Sequence, residues 1–222
     1  MMNKIIAALG LLLATMTIGT LQAAPTFEED LHYFSVIPEQ PGAEGDKVQV
    51  VEFFWYACPH CYRLEPDLDA WLKRKPEYVE FDRIPAMFNR PDVVLHAKTY
   101  YALRLMGVEG DLHARIFDAI HKQRRRLGTQ AEMEEFLGEQ GVDLDAYRKA
   151  MKSFAVQTQA RRAAVLAERF DVRGVPAMVV DGKYRTGGLE AGVLMQVTDF
   201  LVEKVRREKA AAMKAGQGAA TE

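Results

Sequence analysis

The chain has 222 residues, of which 49% are apolar and 27% charged, which is ordinary for a globular protein. A chain of this length forms one or two domains and can bury a core without covalent staples. Its formal net charge of −2 gives no reason to expect a nucleic acid or a membrane surface as partner.

Residues 1–23 have the features of a signal peptide. Lys4 precedes an apolar run at 5–18, and Ala23 is the small residue that signal peptidase requires. The run is shorter than the ~20 apolar residues of a membrane anchor, which is the alternative. We predict cleavage after Ala23, which leaves a mature net charge of −3.

The first half of the mature chain alternates strands with a helix. We predict a short strand at 33–36 and a buried strand at 48–55, which is apolar on both faces apart from Glu52. A helix begins at Cys58 and runs to about Lys75, with Pro66 inside it as a source of a kink. Residues 78–84 form the next predicted strand.

From 91 to 170 the pattern is helical throughout. Apolar side chains recur at helical spacing in successive segments, and Thr129 with Glu132 forms a capping box at one of the helix starts. The apolar faces are marked by Val94, Ala97, Tyr101 and Leu105, by Leu112, Ile116, Phe117 and Ile120, by Leu144, Tyr147, Met151 and Phe154, and by Val156, Ala160, Ala163, Ala167 and Phe170. Since no strand interrupts them, we expect these helices to pack as a separate unit.

Strand character returns at 177–180, and the dipeptide Asp181-Gly182 predicts a hairpin turn into a strand at 184–186. A last helix is predicted from about 189 to 209, with residues 210–222 frayed. The order of elements predicts an α/β domain formed by 24–89 and 164–222, with an all-helical domain, 90–163, inserted into it.

The two cysteines of the chain, Cys58 and Cys61, are separated by two residues. A bridge between them closes too short a loop to stabilise the fold much, so redox chemistry explains their spacing better. Zinc binding is the alternative, but the chain has no second pair of cysteines. The histidines outside the pair are expected on the surface or on helix faces: His32, His96, His113 and His121. Covalent haem would need a histidine where Tyr62 stands.

Cys58 is placed to be a stabilised thiolate. It occupies the N-cap of the predicted helix, and Pro59 takes the first helical position, where its missing N–H costs nothing. The backbone N–H groups of His60 and Cys61, the helix dipole and a protonated His60 all favour the anion. We therefore expect the Cys58 pKa to lie well below ~8.5, which makes the protein a disulfide donor.

Cys61 lies one turn further along and is expected to be the more buried, resolving thiol. It must lose a proton to react, and Glu52 and Glu65 are the candidate acceptors. The alternatives are that Glu52 faces water at a strand edge and that Glu65 is a solvated helix residue. Val175-Pro176 precedes a strand, and we expect a cis Pro176 that presents the Val175 backbone beside Cys58, where an extended peptide can pair.

The motifs resemble those of the DsbA family, the periplasmic dithiol oxidases of the thioredoxin superfamily. The resemblance covers essentially the whole mature chain and is carried by residues 51–54, 58–62, Glu65, 174–178 and 182–184. It implies a thioredoxin fold with an inserted helical domain, Cys58 as nucleophile, Cys61 as resolving thiol, His60 as tuner of the thiolate, and Glu52 and Glu65 as helpers of proton movement. One departure is Arg83, which stands where some members have a buried lysine, so the resemblance assigns it no role.

The resemblance also implies that the Cys58–Cys61 disulfide acts without a cofactor or metal. It implies reduced exported proteins as substrates, a periplasmic location and reoxidation by a DsbB-like membrane quinone reductase. We expect a monomer that binds no nucleic acid.

Two other functions remain open: a disulfide reductase or isomerase, and a non-catalytic peptide-binding chaperone module. Isomerases of the superfamily usually carry a separate dimerisation domain, for which the chain has no room. A chaperone would keep its activity in Cys58→Ser. The basic run at 122–126 is predicted to be the solvated end of a helix rather than an anionic binding site. Trp55 is predicted to pack beside the active-site helix rather than to line a substrate surface.

Overall fold

The computed structural model describes residues 26–219, which form a thioredoxin fold with an all-helical insertion. The signal peptide predicted at 1–23 lies outside the described residues. The strands are β1 (Tyr33–Ser35), β2 (Val48–Phe54), β3 (Val79–Pro85), β4 (Ala177–Val180) and β5 (Tyr184–Thr186). The helices are α1 (Pro59–Arg74), α2 (Pro91–Leu105), α3 (Glu109–His121), α4 (Gln130–Glu139), α5 (Leu144–Lys152), α6 (Phe154–Arg169) and α7 (Ala191–Ala219). Among these residues, no helix is both long and apolar enough to cross a membrane.

The five strands form one mixed sheet in the order β1-β5-β4-β2-β3. β2 pairs in parallel with β3 and antiparallel with β4, so it lies inside the sheet and is shielded on both edges. Its side chains are apolar on both faces because both faces of the sheet are covered by helices. The chain leaves the carboxyl end of β2 and enters α1 at the cysteine motif, which places that motif at one end of the sheet.

The two faces of the sheet bury different partners. On one face, side chains of β2 and β4 pack against α1 and α7 in a cluster that includes Val50, Met178, Leu64, Trp71 and Leu201. On the other face, Phe53 and neighbouring sheet residues pack against the inserted helices, with Phe117, Phe136 and Tyr147 in the same cluster. The insertion therefore packs against one side of the sheet.

The predicted helical block is confirmed as α2 to α6, and Thr129 and Glu132 form the predicted capping box at the start of α4. Two predicted core positions are wrong: Leu105 is 54% exposed and Phe154 is 81% exposed. Leu105 is the last residue of α2. Phe154 belongs to α6 rather than α5, because Ser153 ends one helix and caps the next. The predicted boundary between 163 and 164 falls within α6.

The hairpin and the last helix differ in detail from the prediction. Asp181 and Gly182 take the positive φ angles of 52° and 66° that a tight turn requires, but the loop also includes Lys183. The last helix continues to Ala219 instead of fraying after 209. Its extra turns are rich in alanine, the strongest helix former.

Candidate active site at the start of α1

Cys58 is the N-cap residue of α1, with φ −83° and ψ 116°, and Pro59 is the first helical residue. Both positions agree with the sequence-based expectation. Cys58 is 7% exposed, whereas Cys61, one turn into the helix, is completely buried. Both are free thiols. The motif thus leaves Cys58 slightly accessible to solvent and hides Cys61 completely.

The pKa of Cys58 is lowered to about 6. The largest cause is a hydrogen bond from the Cys61 thiol. Burial of Cys58 opposes the shift. The backbone N–H groups of Cys61 and His60 and the charge of His60 also lower the pKa. The expected direction is correct, but sequence reasoning missed the leading contribution, that of Cys61. No N-cap hydrogen bond to the Cys58 side chain is formed, so the N–H groups act on it as nearby dipoles.

Cys61 behaves in the opposite way. Burial raises its pKa far above the usual range, and its contact with Cys58 and the charge of Glu52 raise it further. At neutral pH Cys61 therefore keeps its proton while most Cys58 is ionised. The two sulfurs of one motif differ in both access and charge.

Glu52 lies inside the protein and is paired, contrary to the alternative in which it faces water. Its side chain is fully buried, and its Oε2 accepts a hydrogen bond from Arg83 Nε at 2.9 Å. Arg83 Nη2 also lies 3.4 Å from Glu65 Oε2, and the Glu65 side chain is only 13% exposed. The alternative of a solvated Glu65 is therefore wrong as well. Arg83, for which the sequence suggested no role, joins the two carboxylates.

The two carboxylates hold their protons unusually strongly. Burial raises the pKa of Glu52 and of Glu65 to about 7, although the charge of Arg83 opposes the rise. The pKa of Arg83 is itself raised, because the two carboxylates outweigh the effect of its burial. A buried carboxyl group that titrates near neutrality can take up or release a proton under physiological conditions.

His113 of α3 completes this buried cluster, and sequence reasoning missed it. Its Nδ1 is 3.1 Å from the Tyr56 hydroxyl, and its Nε2 is 3.5 Å from Glu65 Oε2. The available signal was spacing, since His113 shares the helical stripe of Ile116, Phe117 and Ile120. His96 is also buried, and its Nε2 lies 2.8 Å from the Leu127 carbonyl oxygen, away from this cluster.

The loop before β4 faces Cys58. The Val175–Pro176 peptide bond is cis, as expected, and the Cys58 thiol donates to the Val175 carbonyl oxygen at 3.4 Å. A cavity of about 360 Å³ beside this contact is lined by residues that include His60, Val175, Pro176, Gly187 and Leu189. His60 is exposed, and its Nδ1 accepts a hydrogen bond from Arg63 at 2.8 Å. The residues predicted from two distant segments therefore line one surface.

The Trp55 ring and the basic run lie beside the site, and the Trp55 carbonyl oxygen accepts a hydrogen bond from the Cys58 N–H at 2.9 Å. The Trp55 ring packs against the start of α2. The guanidinium of Arg90, the N-cap residue of α2, is 5.0 Å from the Trp55 ring centre, and the His96 ring centre is 6.2 Å from it. The basic run follows the end of α3, as predicted, and Arg125 pairs with Glu139. In the part of the chain that the structure describes, no three His, Cys, Asp or Glu side chains are arranged to hold a metal ion.

A mixed sheet that leads into a Cys-X-X-Cys helix start, faced by a cis-proline loop, defines a thiol–disulfide oxidoreductase of the thioredoxin fold. The family described as DSBA-like thioredoxin domain matches residues 49–197. The chain belongs to the DsbA family.

Relatives support this assignment over most of the chain. The thiol:disulfide interchange protein DsbA of Azotobacter vinelandii is 45% identical over 78% of this chain and 82% of its own length. That of Pseudomonas aeruginosa is 39% identical over 96% of this chain and 100% of its own length. The crystal structure of Pseudomonas aeruginosa DsbA superposes with a TM-score of 0.76 at 38% identity and covers 84% of this chain and 97% of that one.

Proposed function

We propose that the protein donates a Cys58–Cys61 disulfide to reduced exported proteins through a mixed disulfide at Cys58. The observation that carries the proposal is the contrast between the two sulfurs. Cys58 is 7% exposed and has a pKa of about 6, whereas Cys61 is completely buried and strongly favours its thiol form. Attack from outside is therefore directed to Cys58.

The transfer proceeds by two displacements at sulfur. A substrate thiolate attacks Cys58, the Cys58–Cys61 bond breaks, and Cys61 leaves and takes up one proton. A second substrate thiolate then attacks the substrate sulfur of the mixed disulfide, and Cys58 leaves as a thiolate. Two electrons pass from the substrate to the cysteine pair, and the substrate gains a disulfide.

The ionisation of Cys58 supports this direction of transfer. A thiol of low pKa is a good leaving group, and at neutral pH its ionisation stabilises the reduced protein. Both effects favour transfer of the disulfide from the protein to its substrate. In this role Pro59 is the first helical residue of α1, and His60 supplies a backbone N–H group that favours the Cys58 thiolate.

Glu52 is proposed as the group that exchanges a proton with Cys61, and Glu65 as its support. Glu52 is close enough for its charge to raise the Cys61 pKa, and its own pKa of about 7 suits both giving and taking a proton. Arg83 positions the two carboxylates. This assigns Arg83 a structural and electrostatic task that leaves the sulfur chemistry to the cysteines.

The substrate peptide is proposed to bind in an extended form along Val175 and Pro176. Backbone groups beside a reactive sulfur allow an incoming chain to pair as an added strand without a fixed sequence. The cavity beside His60 offers room for a neighbouring side chain of the substrate. Broad substrate range follows from recognition of the backbone.

The cellular setting is part of the same proposal. Residues 1–23 direct export to the periplasm, a DsbB-like membrane quinone reductase reoxidises the cysteine pair, and the protein acts as a monomer. Residues 24–89 and 164–222 form the thioredoxin-like domain and 90–163 the helical domain, with α6 running from one into the other.

A redox titration against glutathione, paired with disulfide transfer to a reduced model peptide, tests the proposal. We expect a potential far above the value of about −270 mV that is typical of thioredoxin, and transfer that is abolished in Cys58→Ser. A potential near the thioredoxin value would instead identify a reductase. Activity that persists in Cys58→Ser would identify a chaperone.

A further inference from the structure

Four ionisable side chains from four different elements meet in the interior beneath the cysteine motif. They are Glu52 of β2, Glu65 of α1, Arg83 of β3 and His113 of α3. The exposed fractions of these side chains are 0%, 13%, 15% and 6%, respectively. Three belong to the thioredoxin part, and the fourth is supplied by the helical insertion.

One cation serves two carboxylates in this cluster. Arg83 Nε is 2.9 Å from Glu52 Oε2, and Arg83 Nη2 is 3.4 Å from Glu65 Oε2. The second oxygen of each carboxyl group, Oε1, is buried without a hydrogen-bond partner among the described residues. Two negative charges on one guanidinium in an apolar interior favour the retention of one proton on the carboxyl pair.

His113 lies between the Glu52–Glu65 carboxyl pair and Glu109, which is the more exposed carboxylate. Its Nε2 is 3.5 Å from Glu65 Oε2, while its Nδ1 is 3.1 Å from the Tyr56 hydroxyl and 3.6 Å from Glu109 Oε1. The Glu109 side chain, in the first turn of α3, is 21% exposed and therefore contacts solvent. The two ring nitrogens therefore face an inner and an outer carboxylate at 3.5 and 3.6 Å, and Nε2 is buried without a hydrogen-bond partner among the described residues.

The protonation state of His113 suits transfer in either direction. Burial, and then the charge of Arg83, lower its pKa to about 4, although Glu52, Glu109 and Asp69 oppose the shift. At neutral pH the ring is uncharged and carries one N–H and one bare nitrogen. Such a ring can accept a proton on one nitrogen and release the other proton from its opposite side.

The surroundings of His113 leave few other routes for a proton. Phe54, Tyr100 and Phe117 lie with ring centres 5.1, 6.2 and 5.2 Å from the imidazole. The titratable or charged groups that face it are Tyr56, Glu52, Glu65, Asp69, Arg83, Tyr100 and Glu109. Of the groups within 4 Å, Glu65 lies on the inner side and Tyr56 and Glu109 on the other.

We propose that His113 is a positioning residue that relays protons between solvent, at Glu109, and the Glu65–Glu52 pair that serves Cys61. This inference rests on the proposed function. When substrate attack expels Cys61 as a thiolate, Cys61 takes a proton from Glu52. The pair then regains one proton from water through Glu109, His113 and Glu65, and reoxidation returns a proton along the same route.

The test measures single-turnover reduction of the oxidised protein by a dithiol peptide between pH 5 and 8, with alkylation and mass spectrometry as readout. We expect His113→Ala to slow the step that releases Cys61 by about 10-fold or more. Added imidazole, which fits the space left by the side chain, is expected to restore the rate. His113→Gln, which keeps the volume but cannot relay a proton, is expected to be slow as well.

His96→Ala is the matched control, because His96 is equally buried but lies outside the cluster. We expect it to keep the parent rate and to ignore imidazole. The relay is overturned if His113→Ala and His113→Gln react as fast as the parent across the pH range, or if both are slow with the parent's pH profile and no imidazole response. Those outcomes leave the proposed function intact, since that fails only if Cys58→Ser remains active or the potential is low.

Discussion

Glu52 and Arg83 stand directly opposite each other in the parallel register of β2 and β3, and their side chains form a 2.9 Å ion pair in the interior. The pairing explains how a central strand that is otherwise apolar tolerates a carboxylate. A single charge at that depth would be very costly without its partner. The pair also fixes the carboxyl group below the cysteine motif.

Arg83→Met is expected to destabilise the protein by roughly 3–5 kcal/mol at pH 8, because it leaves ionised Glu52 buried without a partner. At pH 5 the loss is expected to be smaller, since the Glu52 pKa of about 7 means that the carboxyl group is then protonated. Urea unfolding at the two pH values measures the difference.

Arg104→Met is the control for Arg83→Met. Arg104 pairs with Asp82 on the surface, where the side chains are 50% and 46% exposed. Removal of this exposed pair is expected to change stability by less than about 1 kcal/mol at either pH. Equal losses in the two variants would contradict the special cost of the buried pair.

Glu52→Gln is expected to weaken the dependence of stability on pH. The folded pKa of Glu52 is raised to about 7, so its contribution is fully present below pH ~4.5 and is lost as pH rises through ~7. Relative to the parent, the variant should gain roughly 3 kcal/mol between pH 4.5 and 8. Glu80→Gln, at an exposed position on β3, is the control and should follow the parent. A parallel pH profile for Glu52→Gln would count against the raised pKa.

Cys61→Ala is expected to raise the pKa of Cys58 from about 6 toward that of a free thiol, because the Cys61 thiol makes the largest contribution to the shift. Thiolate absorbance at 240 nm as a function of pH measures the change. Cys61→Ser keeps a hydrogen-bond donor and should retain part of the shift. If the alanine and serine variants both titrate like the parent, the helix start alone would account for the low pKa.

Thr129→Ala is expected to cost about 1 kcal/mol, because it removes the acceptor for the Glu132 N–H in the capping box of α4. Thermal or urea unfolding measures this loss. Thr158→Ala is the control, since Thr158 is an exposed residue inside α6, where alanine is the better helix former. A loss for Thr158→Ala as large as that for Thr129→Ala would show that the cap contributes little.

The order of elements could be predicted because its signals are local. Apolar spacing identified the helices, and residues such as Pro59, Thr129 and Gly182 marked where elements begin or turn. The errors fall at helix junctions: Leu105 is the last residue of α2, and Phe154 is the first residue of α6 rather than a continuation of α5. Spacing alone does not show where one helix stops and the next begins with a new direction.

The cluster behind the cysteines was only partly predictable, since it depends on contacts between distant segments. Glu52 was identifiable as an anomaly in an apolar strand, but its partner Arg83 follows from the register of β2 and β3. His113 is 61 residues from Glu52 along the chain and joins the cluster only because α3 packs against α1 and brings the imidazole to Glu65. No local pattern encodes that docking.

The core shared between the sheet and the insertion has a consequence for the integrity of the whole molecule. Phe53 and Phe54 of β2 are buried in one cluster with Phe117 of α3 and Phe136 of α4. The helical insertion thus supplies part of the hydrophobic core, and its removal would expose apolar side chains on one face of the sheet. The reactive cysteines and the insertion should therefore unfold in a single cooperative transition, so that loss of the helices is also loss of the redox centre.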